Sequence, residues 1–111
     1  MPATRQRQRE ALTHVLENVL GLQPDSKLVT ALARENFQEI ADVAGLHEED
    51  IDNLSTAAAP VSMQQRMALR NVLMWRDDLA SKMESGSTFG VDDWLAMDAD
   101  GFTQFKQDVV P

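Results

Sequence analysis

The chain has 111 residues, with 10 Lys plus Arg against 18 Asp plus Glu and no Cys or Tyr. That length supports one modest hydrophobic core and not two, and 43% hydrophobic with 25% charged residues is the composition of a chain that folds. A net charge of −8 disfavours sequence-independent binding to nucleic acid or anionic membrane, and the absence of Cys excludes disulfides, thiolate nucleophiles, thiolate zinc sites and iron–sulfur clusters.

Residues 1–9 are basic through Arg5, Arg7 and Arg9 and read as a loose tail. No apolar run of roughly 7–15 residues follows them, so they do not read as a secretory signal. Glu10 and Glu17 interrupt the pattern of a mitochondrial presequence, and no run approaches the roughly 20 apolar residues that span a bilayer. These features point to an intracellular protein. Leu12, Val15, Leu16, Val19 and Leu20 then recur at helical spacing on one face. Gly21 supplies a left-handed terminator and Leu22 the apolar contact after it.

Pro24 and Asp25 mark a turn, and Ser26 caps a second stripe of Leu28, Val29, Leu32 and Ala33 that ends near Asn36. Phe37, Ile40, Ala41, Val43 and Ala44 form a third short element closed by Gly45. In the fourth, Glu48, Glu49 and Asp50 crowd the first turn, where they suit the helix macrodipole, and Ile51 and Leu54 point inward with Leu46. A small-residue loop covers residues 55–60. Ser62-Met63-Gln64-Gln65 reads as a capping box opening a long central helix, whose apolar positions are Leu69, Val72, Leu73, Leu79, Ala80 and Met83. Residues 85–88 break it. Val91, Trp94, Leu95 and Met97 suggest a short helix, and Asp98 caps a last one carrying Phe102, Phe105 and Val109. No segment alternates as a strand does. The expected fold is all-α, a single small helical bundle with an N-terminal amphipathic helix and a C-terminal helical pair over residues 91–109.

The centre, residues 28–84, carries a resemblance. Phe37, Ile40, Val43, the block Leu46-His47-Glu48-Glu49-Asp50-Ile51 and Leu54, followed by a long helix from near Val61, resemble the small helical fold shared by sterile alpha motif domains and helix-hairpin-helix modules. Those families place a Thr or Ser cap where His47 stands here. Hairpin modules hold phosphate with a Gly-x-Gly turn beside Lys or Arg, and residues 55–62 contain none of the three. In polymerising sterile alpha motif domains, an acidic mid-molecule surface meets the basic start of the final helix of the next copy. The resemblance therefore implies a similar role for Glu48, Glu49, Asp50 and Asp52 on one surface and Arg66 and Arg70 on its counterpart. A broader likeness rests on Val19-Leu20-Gly21-Leu22, the block at residues 40–54 and the block at residues 92–105. Their order is similar to small segments of retroelement polyproteins of unicellular algae, which implies an assembly role.

The residues themselves support binding more readily than chemistry. Arg66, Arg70 and Arg76 form a basic stripe that reads either as a contact for an acidic partner or phosphate, or as an ordinary solvated face. The belt Glu35, Glu39, Asp42, Glu48, Glu49, Asp50 and Asp52 is its acidic complement, and a contact between the two repeats head to tail, with charge setting register and an apolar centre supplying affinity. Met63, Met67 and Met74 lie on a side of the long helix partly distinct from Leu69, Val72 and Leu73, and read as core filling or as an adaptable docking face.

Residues 98–101 do not make a calcium loop, because Ala96 and Gln107 fall where ligands belong. Asp77-Asp78 and Asp92-Asp93 diverge on a helix, His14 and His47 lack ligand partners at helical spacing, and no Ser sits in a nucleophile elbow. No catalytic, cofactor or metal set emerges. The expected function is a non-enzymatic protein–protein interaction or self-assembly module, forming a homo-oligomer. One alternative is an acidic inhibitor or adaptor engaging a basic protein surface. The other is nucleic-acid binding through the Arg-rich N-terminus with Arg66, Arg70 and Arg76.

Overall fold

In the computed structural model, residues 5–84 and 89–109 are described, and all regular elements among them are helical. Helix α1 (Arg5–Thr13) runs directly into a π-helical segment (His14–Val19). There follow α2 (Lys27–Arg34), α3 (Ile40–Ala44), α4 (Glu48–Asn53), α5 (Met63–Ser81), α6 (Val91–Ala96) and α7 (Ala99–Asp108). The all-α expectation holds. The expected break at residues 85–88 lies outside the described residues.

Local chemistry sets most of the boundaries. The π segment is closed by the Leu20 N–H donating to the Val15 carbonyl at 2.9 Å, a five-residue step. Gly21 then adopts φ +69°, which lets the Leu22 N–H reach back to the Leu16 carbonyl at 2.9 Å, one residue further than in a Schellman ending, as the wide turn before it requires. Ser26 caps α2 by accepting from the Val29 N–H. At α3, α4 and α6 an acid in the first turn reaches back instead: Asp42 accepts from Glu39 N–H, Asp50 from His47 N–H and Asp93 from Gly90 N–H. At α4 the carboxylate makes the half of a capping box that satisfies the His47 N–H, a different donor from the first-turn N–H that a hydroxyl at 47 would take.

Two expectations are corrected. From Arg5 onward the basic N-terminus is the start of α1, held by a pair between Arg5 and Glu39 at 3.7 Å, a pair between Arg7 and Asp92, and a Gln8 side chain accepting from Ala41 N–H at 3.0 Å. The capping box at Ser62 is only half made. Ser62 Oγ accepts from Gln65 N–H at 3.1 Å, but the Gln65 side chain turns away to accept from Leu28 N–H at 3.1 Å, tying α5 to the first turn of α2.

The core is continuous. α1 packs against α3 and α6, the π segment against α6 and α7, and α4 and α7 each against α5. Ala11, Val15, Leu28, Leu69 and Val72 are almost wholly enclosed. The C-terminal pair seats on the long helix through aromatic rings: Trp75 lies 5.4 Å from Phe102 and 6.5 Å from Phe105, centroid to centroid. This contact explains Gly101, where a Cβ would stand 3.2 Å from the Trp75 ring and 2.8 Å from the Asp98 carboxylate that caps α7.

Candidate functional site

At about 100° per residue, Leu69, Val72, Leu73 and Trp75 share one side of α5, and all four are buried. Met63, Met67, Arg70 and Met74, spaced four, three and four residues apart, share the opposite side. Met63 is 67% exposed, Met67 47% and Met74 37%. Among the described residues these three and Val109 are the large hydrophobic side chains left in solvent. The methionines therefore do not fill the core, because Leu69, Val72, Leu73 and Trp75 already occupy that side of the helix.

The charged residues converge on the same face. Helix α4 lies beside the first half of α5, and its residues 48 and 52, one turn apart, stand beside residues 70 and 66, also one turn apart. Arg66 Nη1 meets Asp52 Oδ1 at 3.1 Å, and Arg70 Nη1 meets Glu48 Oε1 at 3.1 Å. Arg66 is held further by Nε donating to the Val61 carbonyl at 3.2 Å. The expectation of separate acidic and basic patches, each awaiting another copy, is therefore corrected. The antiparallel fit of two adjacent helices joins the signs inside one chain. Of the remaining acids, Asp50 is committed to the His47 N–H, while Glu49 is exposed and makes no ion pair with a described residue.

The third arginine of the supposed stripe points elsewhere. Arg76 donates to the Ala44 carbonyl at 3.0 Å, pairs with Asp77 at 2.8 Å and lies 5.9 Å from the centre of the Trp94 ring. With Arg9 donating to Gln38 at 3.4 Å and Arg5 and Arg7 paired as above, a phosphate backbone would have to displace an existing partner at each of these arginines.

Shallow hollows flank the methionine ridge. One of 240 Å³ between α4 and α5 is lined by Ile51, Met63 and Met67 together with both ion pairs. A second, of 530 Å³, reaches Met67 from the other side between the π segment, α5 and α7, and a third, of 550 Å³, runs from Met74 to the α3–α4 turn. A raised apolar stripe between grooves, with charged groups already matched at its edge, has the apolar-centre and polar-rim plan of a protein contact.

The remaining polar groups singled out in the sequence serve the fold. His14 Nε2 donates to the Met97 carbonyl at 2.5 Å and its Nδ1 accepts from Asn18 at 3.1 Å, joining the π segment to the end of α6. Asp98 caps α7 through the Gly101 N–H. Among the described residues no three His, Cys, Asp or Glu side chains gather as a metal site, and no helix is long and apolar enough to cross a membrane. The sequence reading missed the pairing across α4 and α5, which depends on how two helices cross. The sequence set Met63, Met67 and Met74 partly apart from the Leu69, Val72 and Leu73 side but left open whether they fill the core. No protein-family model, curated protein or solved structure matches the chain.

Proposed function

We propose that this chain is a non-enzymatic protein–protein interaction module that docks through the α4–α5 face. The observation that carries the reading is the exposed stripe of Met63, Met67 and Met74 on the side of α5 facing away from its own core. Exposed methionine is adaptable apolar surface, and a stripe at helical spacing fits a facing helix. The ion pairs Glu48–Arg70 and Asp52–Arg66 border it as a rim that needs no charge from outside. A sequence-independent nucleic-acid role is disfavoured, since the arginines proposed for it are engaged in the chain and the net charge is −8.

A photoreactive benzophenone side chain installed at position 67 in the cells that make the protein tests the reading. Irradiation is expected to give covalent protein adducts from position 67 and none from position 17, an exposed site on the π segment. Equal yields at both positions, or none at either, overturn it.

A second reading has its own support. Seven of the ten Lys and Arg side chains pair with acids of the same chain, so the unpaired excess is acidic and suits a basic protein surface. Adducts from position 49 and not from 67 favour that reading.

A further inference from the structure

Resting on that interaction reading, we infer that the α4–α5 face is covered by a second copy of this chain, with the two α5 helices antiparallel about a two-fold axis beside positions 68 and 69. Met63 then meets the partner's Met74, and Met67 meets the partner's Arg70.

The argument begins with the stripe. Steps of four, three and four residues are those of a heptad seam, and the sequence of steps reads the same from either end. An antiparallel copy therefore aligns all four layers at once, giving the self-complementary patch that a two-fold interface requires. A parallel copy would instead stack Arg70 on the partner's Arg70. In the antiparallel register the aliphatic stem of Arg70 lies along the partner's Met67, while its guanidinium stays with Glu48 at 3.1 Å.

Charge selects the same occupant. Two chains of net charge −8 repel, yet Glu48, Asp52, Arg66 and Arg70 sum to zero through their pairs. This face can meet its own copy without adding to the repulsion. On the side away from α4, the positions flanking the stripe are Gln64 and Asn71, uncharged amides that the antiparallel register brings opposite one another. Three part-exposed methionines per copy fall short of the roughly 800 Å² per partner of a standard interface, so the dimer is a weak one, at or beyond the micromolar end of the range that standard interfaces span.

Because the dimer forms against overall repulsion, sedimentation equilibrium on the purified chain is expected to show association strengthening as salt rises and screens that repulsion. Assembly through opposite charges would weaken instead, and that result overturns the inference. The register is read by cross-linking, for which the cysteine-free chain is a clean background. The double variant Met63→Cys with Met74→Cys is expected to oxidise to a covalent dimer. The two positions lie about 16 Å apart along one helix, beyond the reach of a disulfide within one chain, and each single variant stays uncross-linked because its own position is equally distant across the axis. Single variants that cross-link as well as the double overturn the antiparallel register. A chain that stays monomeric at every concentration overturns the second copy as occupant, and adducts from position 67 to a different protein would then leave the interaction reading standing. Circular dichroism on each variant confirms that the helices are intact.

Discussion

The contrast between two positions on one helix tests the assignment of the methionine stripe to solvent. Leu69 is fully enclosed, whereas Met63, six residues earlier, is 67% exposed. Burying a whole methionine side chain contributes about 1.5–3 kcal/mol, so the third of Met63 that is covered contributes roughly 0.5–1 kcal/mol. Alanine returns a few tenths through its helix propensity, leaving Met63→Ala within about 0.5 kcal/mol of the parent. Leu69→Ala removes three carbon atoms from a site with no access to solvent and is expected to cost about 2–5 kcal/mol. For a chain of this size, about 1 kcal/mol corresponds to a Tm shift of about 4–8 °C. The parent and Met63→Ala should therefore melt within a few degrees of each other, with Leu69→Ala well below. Urea unfolding followed by the fluorescence of Trp75 and Trp94, both buried, gives the same comparison as a shift of midpoint at constant slope. Working well below the association range keeps self-binding out of the result. A Met63→Ala cost approaching that of Leu69→Ala would refute the reasoning, because the stripe would then belong to the core.

Three further substitutions probe the local devices that position this face. Gly21→Ala has open space around the new Cβ but must hold φ near +69°, so it is expected to lose about 1–2 kcal/mol from backbone strain alone; Gly45→Ala, at φ −86°, serves as the near-neutral control in the same urea titration. Asp98→Ala removes the α7 cap and should cost about 1 kcal/mol, with Asp98→Asn restoring most of it; near-ultraviolet circular dichroism should register the loosened Trp75–Phe102 contact. Gln65→Ala leaves the Leu28 N–H without its acceptor and is expected to cost about 1 kcal/mol, with faster amide hydrogen exchange in the first turn of α2. Exchange unchanged there would mean that the tie between α2 and α5 does not constrain α2.

Much of the fold was written locally. The Leu12, Val15, Leu16 and Val19 stripe, the terminator Gly21 and the caps Ser26, Ser62 and Asp98 all act within a few residues of themselves, and each stands where the sequence placed it. What the sequence concealed depends on the crossing of distant segments. Nothing local tells Gln65 to leave its own helix end for Leu28, nor aligns Asp52 with Arg66 and Glu48 with Arg70. The acidic run and the basic run looked like surfaces awaiting another molecule because their separation along the chain hid their adjacency in space. The methionines were ambiguous for a different reason. A long helix has more apolar positions than one core side can use, and the packing of α4 and α7 against it decides which side that is.

The wide turn at residues 14–19 has a consequence for how this bundle tolerates change. A π turn accommodates one residue more than an α turn over the same rise, so it absorbs that residue while keeping the helix before it in phase with the helix after it. Deleting one exposed residue there, Glu17 or Asn18, would let the segment rewind to the ordinary pitch with the flanking helices still in phase, whereas rewinding with all six residues kept would swing everything upstream by about 100°. Only in the second case would Arg7 swing off Asp92, and Gln8 off the Ala41 amide. The N-terminal helix is thus kept in gear by one wide turn that can lose a residue without slipping, so what the molecule requires at that point is phase rather than length.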